Sequence, residues 1–510
     1  MTSISIPVVG LASNDPIPGD YQQINFSQSP APSGSGSYRT LILANKLSTG
    51  TATADTVIYG PNTSVPLTNQ DDANALGGFG SEAARMYAQY TAANPYASVW
   101  MVFITESVGA KATGTLTFTT TAVTSGTARV FIGHEFVDVS ITAGDTPTTI
   151  AANVVLAING KPSLPVTSTS ALGVVTLTAK QKGLRGNWIR FNCIVYGANI
   201  ATTVSPASPT NMSGGTTADV WTTALSTIRP ERFYYIISAD DGGQSSPNLA
   251  ALASQVNLQA EPLNDIRQIV IAGSNDSLAN TITIATAINS ARCRLLWQYQ
   301  GDMLPSELAC ALAGAISLKE LSFGVNSCNL NFYGSTDESK LYWNVPVPRT
   351  GNGIVRTQMA AALNNGICPV VKVSSNQTAL LSCITTKSLS NSLPDYGIRP
   401  AHKVSIMDRF VDDVQVVMRK QLAGKLIGND PKPGQKPIAG VATPRDLLAI
   451  LQKKVSEYEE SGLLQDADAT KKGIIALREV ADPQRFSSKT QLKPADTLDR
   501  TANVSDQLSF

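Results

Sequence analysis

The sequence predicts an α/β protein: a mixed or mainly parallel sheet core with helices, interrupted by an inserted β-rich domain and carrying extended terminal arms. Three observations predict it. Short apolar runs at Arg232–Ala239, Arg267–Gly273 and Cys293–Tyr299 are rich in β-branched and aromatic residues, as buried strands are. Between the first two, Leu249, Leu252, Ala253 and Val256 fall at i, i+3, i+4 and i+7, one face of a helix. From about Glu106 to about Ser213 the composition changes to Thr, Ser and Gly with short alternating runs, and α/β patterning resumes afterwards.

In chain order, residues 1–37 read as an arm. Ile4, Ile6 and Val8 alternate in strand period, Pro7 keeps that strand out of a sheet interior, and Ser27–Ser37 has linker composition. An extended segment with one apolar face suits addition to a neighbour's sheet edge; a frayed terminus or an arm packed on its own core is the alternative. Residues 38–105 form the first part of the core: a strand at Tyr38–Ala44, a helix capped by Ser81 with Glu82 in its first turn, and a strand at Ser98–Thr105. The Gly-rich turn before Ser81 lacks the Gly-Lys-Ser/Thr of a phosphate loop and does not follow a strand directly, so it predicts no nucleotide site.

Residues 106–213 are the inserted β-rich outer domain, with strands at Thr115–Thr119, Arg129–Ile132, Phe136–Ile141, Val174–Ala179 and Trp188–Val195. One helix at Thr148–Ile158 starts behind Pro147. Residues 214–400 are the second part of the core, including a helix opened by Pro305 that is apolar on nearly every side and a strand at Cys368–Val373. Residues 401–510 are a C-terminal α/β segment and arm. It has a helix at about Phe410–Leu426 and another capped by Thr443, with Pro444 in the first turn, Asp446 as the capping-box acid and Gly462 as the stop.

Composition narrows the function. Over 510 residues, 39 basic and 38 acidic side chains leave a formal charge of +1, so no global field draws the chain to nucleic acid or anionic membrane. Charged residues are 15% of the chain, which suits a protein that hides much of its surface in an assembly, or equally a Thr-rich β protein. The cysteines Cys193, Cys293, Cys310, Cys328, Cys368 and Cys383 form no C-x-x-C pair and read as buried free thiols, so no metal site is predicted. No signal peptide is legible, and the apolar run Leu308–Leu318 is too short to span a bilayer.

No catalytic pattern rises above background. His134 lies between short strands and His402 follows Pro400 in a loop, neither beside a nucleophile motif. Asp240 and Asp241 stand at the end of a central strand, where α/β enzymes keep their sites, but Asp-Asp-Gly-Gly reads better as a turn. No catalytic residue, cofactor or metal is therefore assigned.

Several motifs, in colinear order, resemble the tail sheath proteins of contractile phages, specifically the Mu-like group. They are Ile17-Pro18-Gly19-Asp20 with Ile24-Asn25-Phe26 and Arg39–Leu43, then Phe79-Gly80-Ser81 with Asn94–Val102. Val174–Lys180 with Gly183 and Gly186-Asn187 follows, and then Thr443-Pro444, Glu459–Leu463, Arg478-Glu479 and Asp482–Phe486. Where that family ends in a longer apolar strand, Ser487–Phe510 is polar, with Val504, Leu508 and Phe510 as its apolar anchors.

The resemblance implies a non-enzymatic subunit that polymerises as stacked hexameric rings around a tail tube and contracts to drive the tube through the host envelope. The implied partners are further copies of the chain, the tube, baseplate and tail terminator proteins, with no nucleic acid and no membrane insertion. The implied location is the virion tail, assembled in the host cytoplasm. The arm residues Ile4, Ile6, Val8, Val504, Leu508 and Phe510 would make the contacts between subunits. The alternative is a virion-associated glycan-binding or glycan-cleaving protein using the Thr-rich domain and Asp240/Asp241.

Overall fold

The computed structural model describes residues 39–198, 204–239, 247–323, 345–349, 353–374, 377–395, 397, 399–436 and 438–495. Along the chain, β1 (Thr40–Asn45) is followed by β2 (Ile58–Tyr59), α1 (Gln70–Gly77), α2 (Glu82–Ala93) and β3 (Val99–Ile104). Seven strands come next around one helix. They are β4 (Lys111–Thr117), β5 (Gly126–Ile132), β6 (Glu135–Ile141), α3 (Pro147–Asn159), β7 (Val166–Ala171), β8 (Val174–Lys182), β9 (Arg190–Tyr196) and β10 (Thr210–Asn211). The alternation then resumes through α4 (Thr222–Ile228), β11 (Tyr235–Ile237), α5 (Pro247–Gln259), β12 (Ile269–Ser274), α6 (Leu278–Ile288) and β13 (Cys293–Trp297). It ends with α7 (Pro305–Phe323), α8 (Arg356–Asn364), β14 (Ile367–Ser374) and β15 (Gln377–Leu380).

The main sheet has the order β15-β14-β13-β12-β11-β1-β3-β2, so β1 lies between strands far apart in sequence. Pairings from β14 through to β3 are parallel, and only the edge strands β15 and β2 run antiparallel. The expected mixed, mainly parallel sheet is therefore present. Each strand feeds both faces. Ile42, Met101, Phe103, Ile271 and Leu296 meet α2 and α7 on one side. Leu41, Leu43, Val102, Val270 and Leu295 meet α4, α5 and α6 on the other. Two-sided burial is why these strands read as continuous apolar runs. Gly273 marks a close approach: a Cβ built there would lie 2.1 Å from the Pro305 carbonyl oxygen, so helix α7 and strand β12 touch through backbone.

Between β3 and α4, strands β10-β9-β5-β6 form one small sheet and β4-β8-β7 another, closed over a core of Val130, Ile132, Val154, Leu177 and Phe191. Strand β7 is absent from the sequence reading. Its VTSTSA text exposes four of six side chains and carries almost no apolar signal. Pro147 does open α3, and Thr146 caps it through an oxygen that accepts from the Thr149 N–H.

A last unit holds α9 (Ala401–Leu422), α10 (Pro444–Glu460) and α11 (Ala467–Gly473). Leu447, Leu451, Val455 and Tyr458 of α10 pack on Phe410 and Val414 of α9. Asp446 accepts from the Thr443 backbone N–H at 2.9 Å, the expected capping-box bond. Gly462 follows at φ +70°, a conformation that favours glycine. Two expectations fail here. Helix α9 starts at Ala401, about nine residues before the expected position. His402, read as a loop residue, is buried in its first turn. The first turns of α9 are buried on several sides and carry His402, Asp408 and Arg409 among apolar residues, so no single apolar stripe announces a helix.

Candidate functional site

The expected arm contacts Ile4, Ile6, Val8, Val504, Leu508 and Phe510 lie outside the described residues, as do Asp240, Asp241 and Cys328. Cys193, Cys293, Cys310, Cys368 and Cys383 are free and buried. Among the described residues no group of three or more His, Cys, Asp or Glu could hold a metal ion, and no helix is long and apolar enough to cross a membrane.

The described residues instead concentrate their buried charge where the main sheet meets the two other units. On the small-sheet side, Arg85 of α2 is almost fully buried. Its Nε donates to Glu307 on α7 at 2.5 Å, and its Nη1 donates to Glu135 on β6 at 2.6 Å. Nδ1 of His134, in the turn between β5 and β6, stands 3.3 Å from the second oxygen of Glu307. Burial alone would raise the Glu307 pKa. Arg85 and then His134 overcome it and hold the carboxyl down to about 2. Glu135 is lowered in the same way: burial opposes, and Arg85 and Lys161 prevail.

A second link pairs Arg185, in the short 3-10 turn after β8, with Glu82 at 2.7 Å and with Asp219. Glu82 also accepts from the Asn45 backbone N–H at 3.2 Å, so the acid expected to serve the α2 dipole also ties β1 to the small sheets. Ser81 caps α2 as expected, its oxygen 3.0 Å from the Ala84 N–H. In a third link, Asp302 lies between Arg190 of β9 at 3.6 Å and Arg349 at 3.2 Å. Burial outweighs these two cations and raises the Asp302 pKa.

On the opposite side, Asp408 of α9 takes a bidentate pair from Arg292 at 2.8 and 2.9 Å and faces the Tyr234 hydroxyl at 3.3 Å. One turn on, Asp412 accepts from Arg267 at 2.6 Å and Arg232 at 2.5 Å. Its pKa is lowered because these guanidiniums overcome the cost of burial. The chemistry available here is cohesion: Arg85–Glu135, Arg185–Glu82, Arg190–Asp302 and Arg292–Asp408 cross between units, and removing one partner leaves the other buried and uncompensated.

Sequence reasoning located none of these pairs, because Arg85, Glu307, Arg292 and Asp408 each sit in text that otherwise reads as core helix or core strand. One signal was available. A charge on a helix apolar on nearly every side, as Glu307 is on α7, has to find a buried partner.

No family model matches the chain. Among curated proteins it is 28% identical over 302 residues to the Mu-like prophage FluMu tail sheath protein of Haemophilus influenzae, covering 58% of this chain and 60% of that protein. The alignment thus spans less than two thirds of that relative's length. Similar solved structures include a sheath tail protein from Desulfitobacterium hafniense, with 11% identity, 94% of this chain and 100% of that one covered, and a TM-score of 0.43. A sheath tail protein from Listeria innocua has 13% identity, 91% and 93% covered, and a TM-score of 0.46. A chain of the anti-feeding prophage baseplate has 10% identity, 96% and 99% covered, and a TM-score of 0.46. The resemblance to Mu-like tail sheath proteins read from the sequence motifs is met again in the curated relative.

Proposed function

We propose that this chain, similar in sequence to a Mu-like prophage tail sheath protein, is the repeating structural subunit of a contractile tail sheath. The observation that carries the reading is the 302-residue match to that relative. In this reading the subunit polymerises into stacked hexameric rings around a tail tube, meets a baseplate at one end and a terminator protein at the other, and works by rearranging its contacts with its own copies. It needs no cofactor and uses no reacting side chain.

The buried ion pairs support movement of each subunit as one rigid body. Arg85 with Glu135, Arg185 with Glu82, and Arg292 with Asp408 tie the small sheets and the C-terminal helices to the main sheet. Charges buried at these joints have one matching arrangement, which fixes how the units sit on one another, so the lattice is expected to change by repacking contacts between subunits. The division at residues 106–213 and 401–510 belongs to the same proposal, with 106–213 facing outward. The arms around Ile4, Ile6, Val8 and around Val504, Leu508, Phe510 would keep neighbours joined by strand addition while the lattice shortens.

Negative-stain microscopy of the purified full chain tests this. Rods or stacked rings are expected; dispersed monomers at high concentration with both arms intact would overturn it. Deleting residues 2–30 is expected to abolish polymers and leave the thermal melt of the folded core nearly unchanged.

A further inference from the structure

A small cavity lies where the small sheets meet the first turn of α2, lined among others by Gly80, Glu82, Arg85, Gln181, Arg185 and Leu304. Its volume of about 20 Å³ exceeds the roughly 10–15 Å³ needed for one water-sized guest. Three lining side chains, all more than nine-tenths buried, carry an N–H with no partner: Arg85 Nη2, Gln181 Nε2 and Arg185 Nε.

In each case the rest of the side chain is committed. Arg85 spends Nε on Glu307 and Nη1 on Glu135 and the Ser163 carbonyl. Arg185 spends Nη1 on Glu82 and Nη2 on Asp219. The Gln181 Oε1 accepts from the Glu82 backbone N–H at 3.1 Å, which fixes the amide with its donor end free. The one carboxylate on the wall, Glu82, is held by the Asn45 N–H and Arg185. No lining side chain offers an unpartnered acceptor.

Orphaned buried donors cost about 1–3 kcal/mol each, more when charged, so a polar guest is expected. A water would bring two hydrogens to a wall whose unpartnered side-chain atoms are all donors. A monatomic anion brings none. Two guanidiniums and the first turn of α2 face the cavity, but Glu82, Glu135, Glu307 and Asp219 offset their charge, so the guest is held by converging donors and not by a net positive field. Nearby, the Lys180 amine donates only to the Phe79 and Pro162 carbonyls, and burial together with the Arg85 charge lowers its pKa to about 8.

We propose that this cavity binds a single halide ion, chloride in practice, between Arg85, Arg185 and Gln181, and that the ion is part of the joint between the small sheets and the main sheet.

The test uses the full chain and two measurements. Thermal unfolding is followed in sodium chloride and in sodium gluconate at equal ionic strength, gluconate being too large to enter. The expected result is a melting temperature that rises by about 2–5 °C over a hundred-fold increase in chloride, and not with gluconate. Gln181→Glu keeps the oxygen facing the Glu82 N–H and puts a fixed negative charge in the cavity, so its melt should lose the chloride dependence. Equal behaviour of the wild type in the two salts, or a Gln181→Glu variant with the wild-type chloride response, would overturn the proposal. Should that variant fail to fold, wild-type crystals grown in bromide decide. An anomalous peak between Arg85 and Arg185 supports the site, and its absence at saturating bromide refutes it.

Discussion

Asp408 on α9 holds Arg292, at the start of β13, by two parallel bonds of 2.8 and 2.9 Å, with both side chains sealed from solvent. The pair is the central rivet between the main sheet and the C-terminal helices. Asp408→Asn keeps the shape and loses the charge, leaving the Arg292 guanidinium buried without its counter-ion. Urea denaturation is expected to report a loss of about 3–5 kcal/mol. A loss below 1 kcal/mol would mean that solvent reaches the pair.

Acid should act through Glu307. Its carboxyl is held at about 2 against an ordinary 4.5, so its contribution is complete above about pH 4.5 and is lost as the pH falls toward 2. Glu307→Gln is expected to cost about 3–5 kcal/mol at neutral pH. The gap between wild type and variant should narrow steadily through that acid window. A gap constant from pH 7 to pH 2.5, read by denaturant midpoints, would contradict the ionic account.

Gly273→Ala tests the backbone contact between β12 and α7. The added methyl group would meet the Pro305 carbonyl at 2.1 Å, and no rotamer relieves it. A destabilisation of about 1–3 kcal/mol is expected by calorimetry or denaturant titration. A neutral outcome would mean that the helix start shifts freely.

Burial pushes the thiols of Cys193 and Cys293 up to about 12. In a Cys328→Ser background at pH 8, neither should react with a disulfide reagent until denaturant is added, and both should react fully afterwards. Rapid labelling of either in the native protein would show opening of the small-sheet core or of the main sheet.

The main sheet was legible because its strands are buried on both faces. Ile236, Ile271 and Leu295 need no pattern more subtle than continuous hydrophobicity, and Ser81, Pro147 and Thr443 punctuate their helices through local bonds. Strand β7 was not legible, since Thr167, Thr169 and Ser170 face water and only pairing with β8 makes them a strand. The junctions were also hidden. Arg85 and Glu307 are 222 positions apart, and no local rule brings them together. The start of α9 was missed because His402 and Asp408 mask its helical face, and Asp408 is there to meet Arg292.

The two chain crossings into the small sheets run side by side: the Ser107 hydroxyl donates to the Thr217 carbonyl at 2.9 Å, and the Ala110 N–H donates to the Thr216 hydroxyl at 2.9 Å. Entrance and exit are thus stitched into a single stalk, and β3 and α4 on either side of it do not register how much chain lies beyond. Whatever is spliced onto that stalk, longer, shorter or foreign, leaves the parallel sheet's own pairings untouched. This makes the spot a natural cassette for varying the inserted material, provided the replacement also supplies partners for Glu82, Arg85 and Glu307.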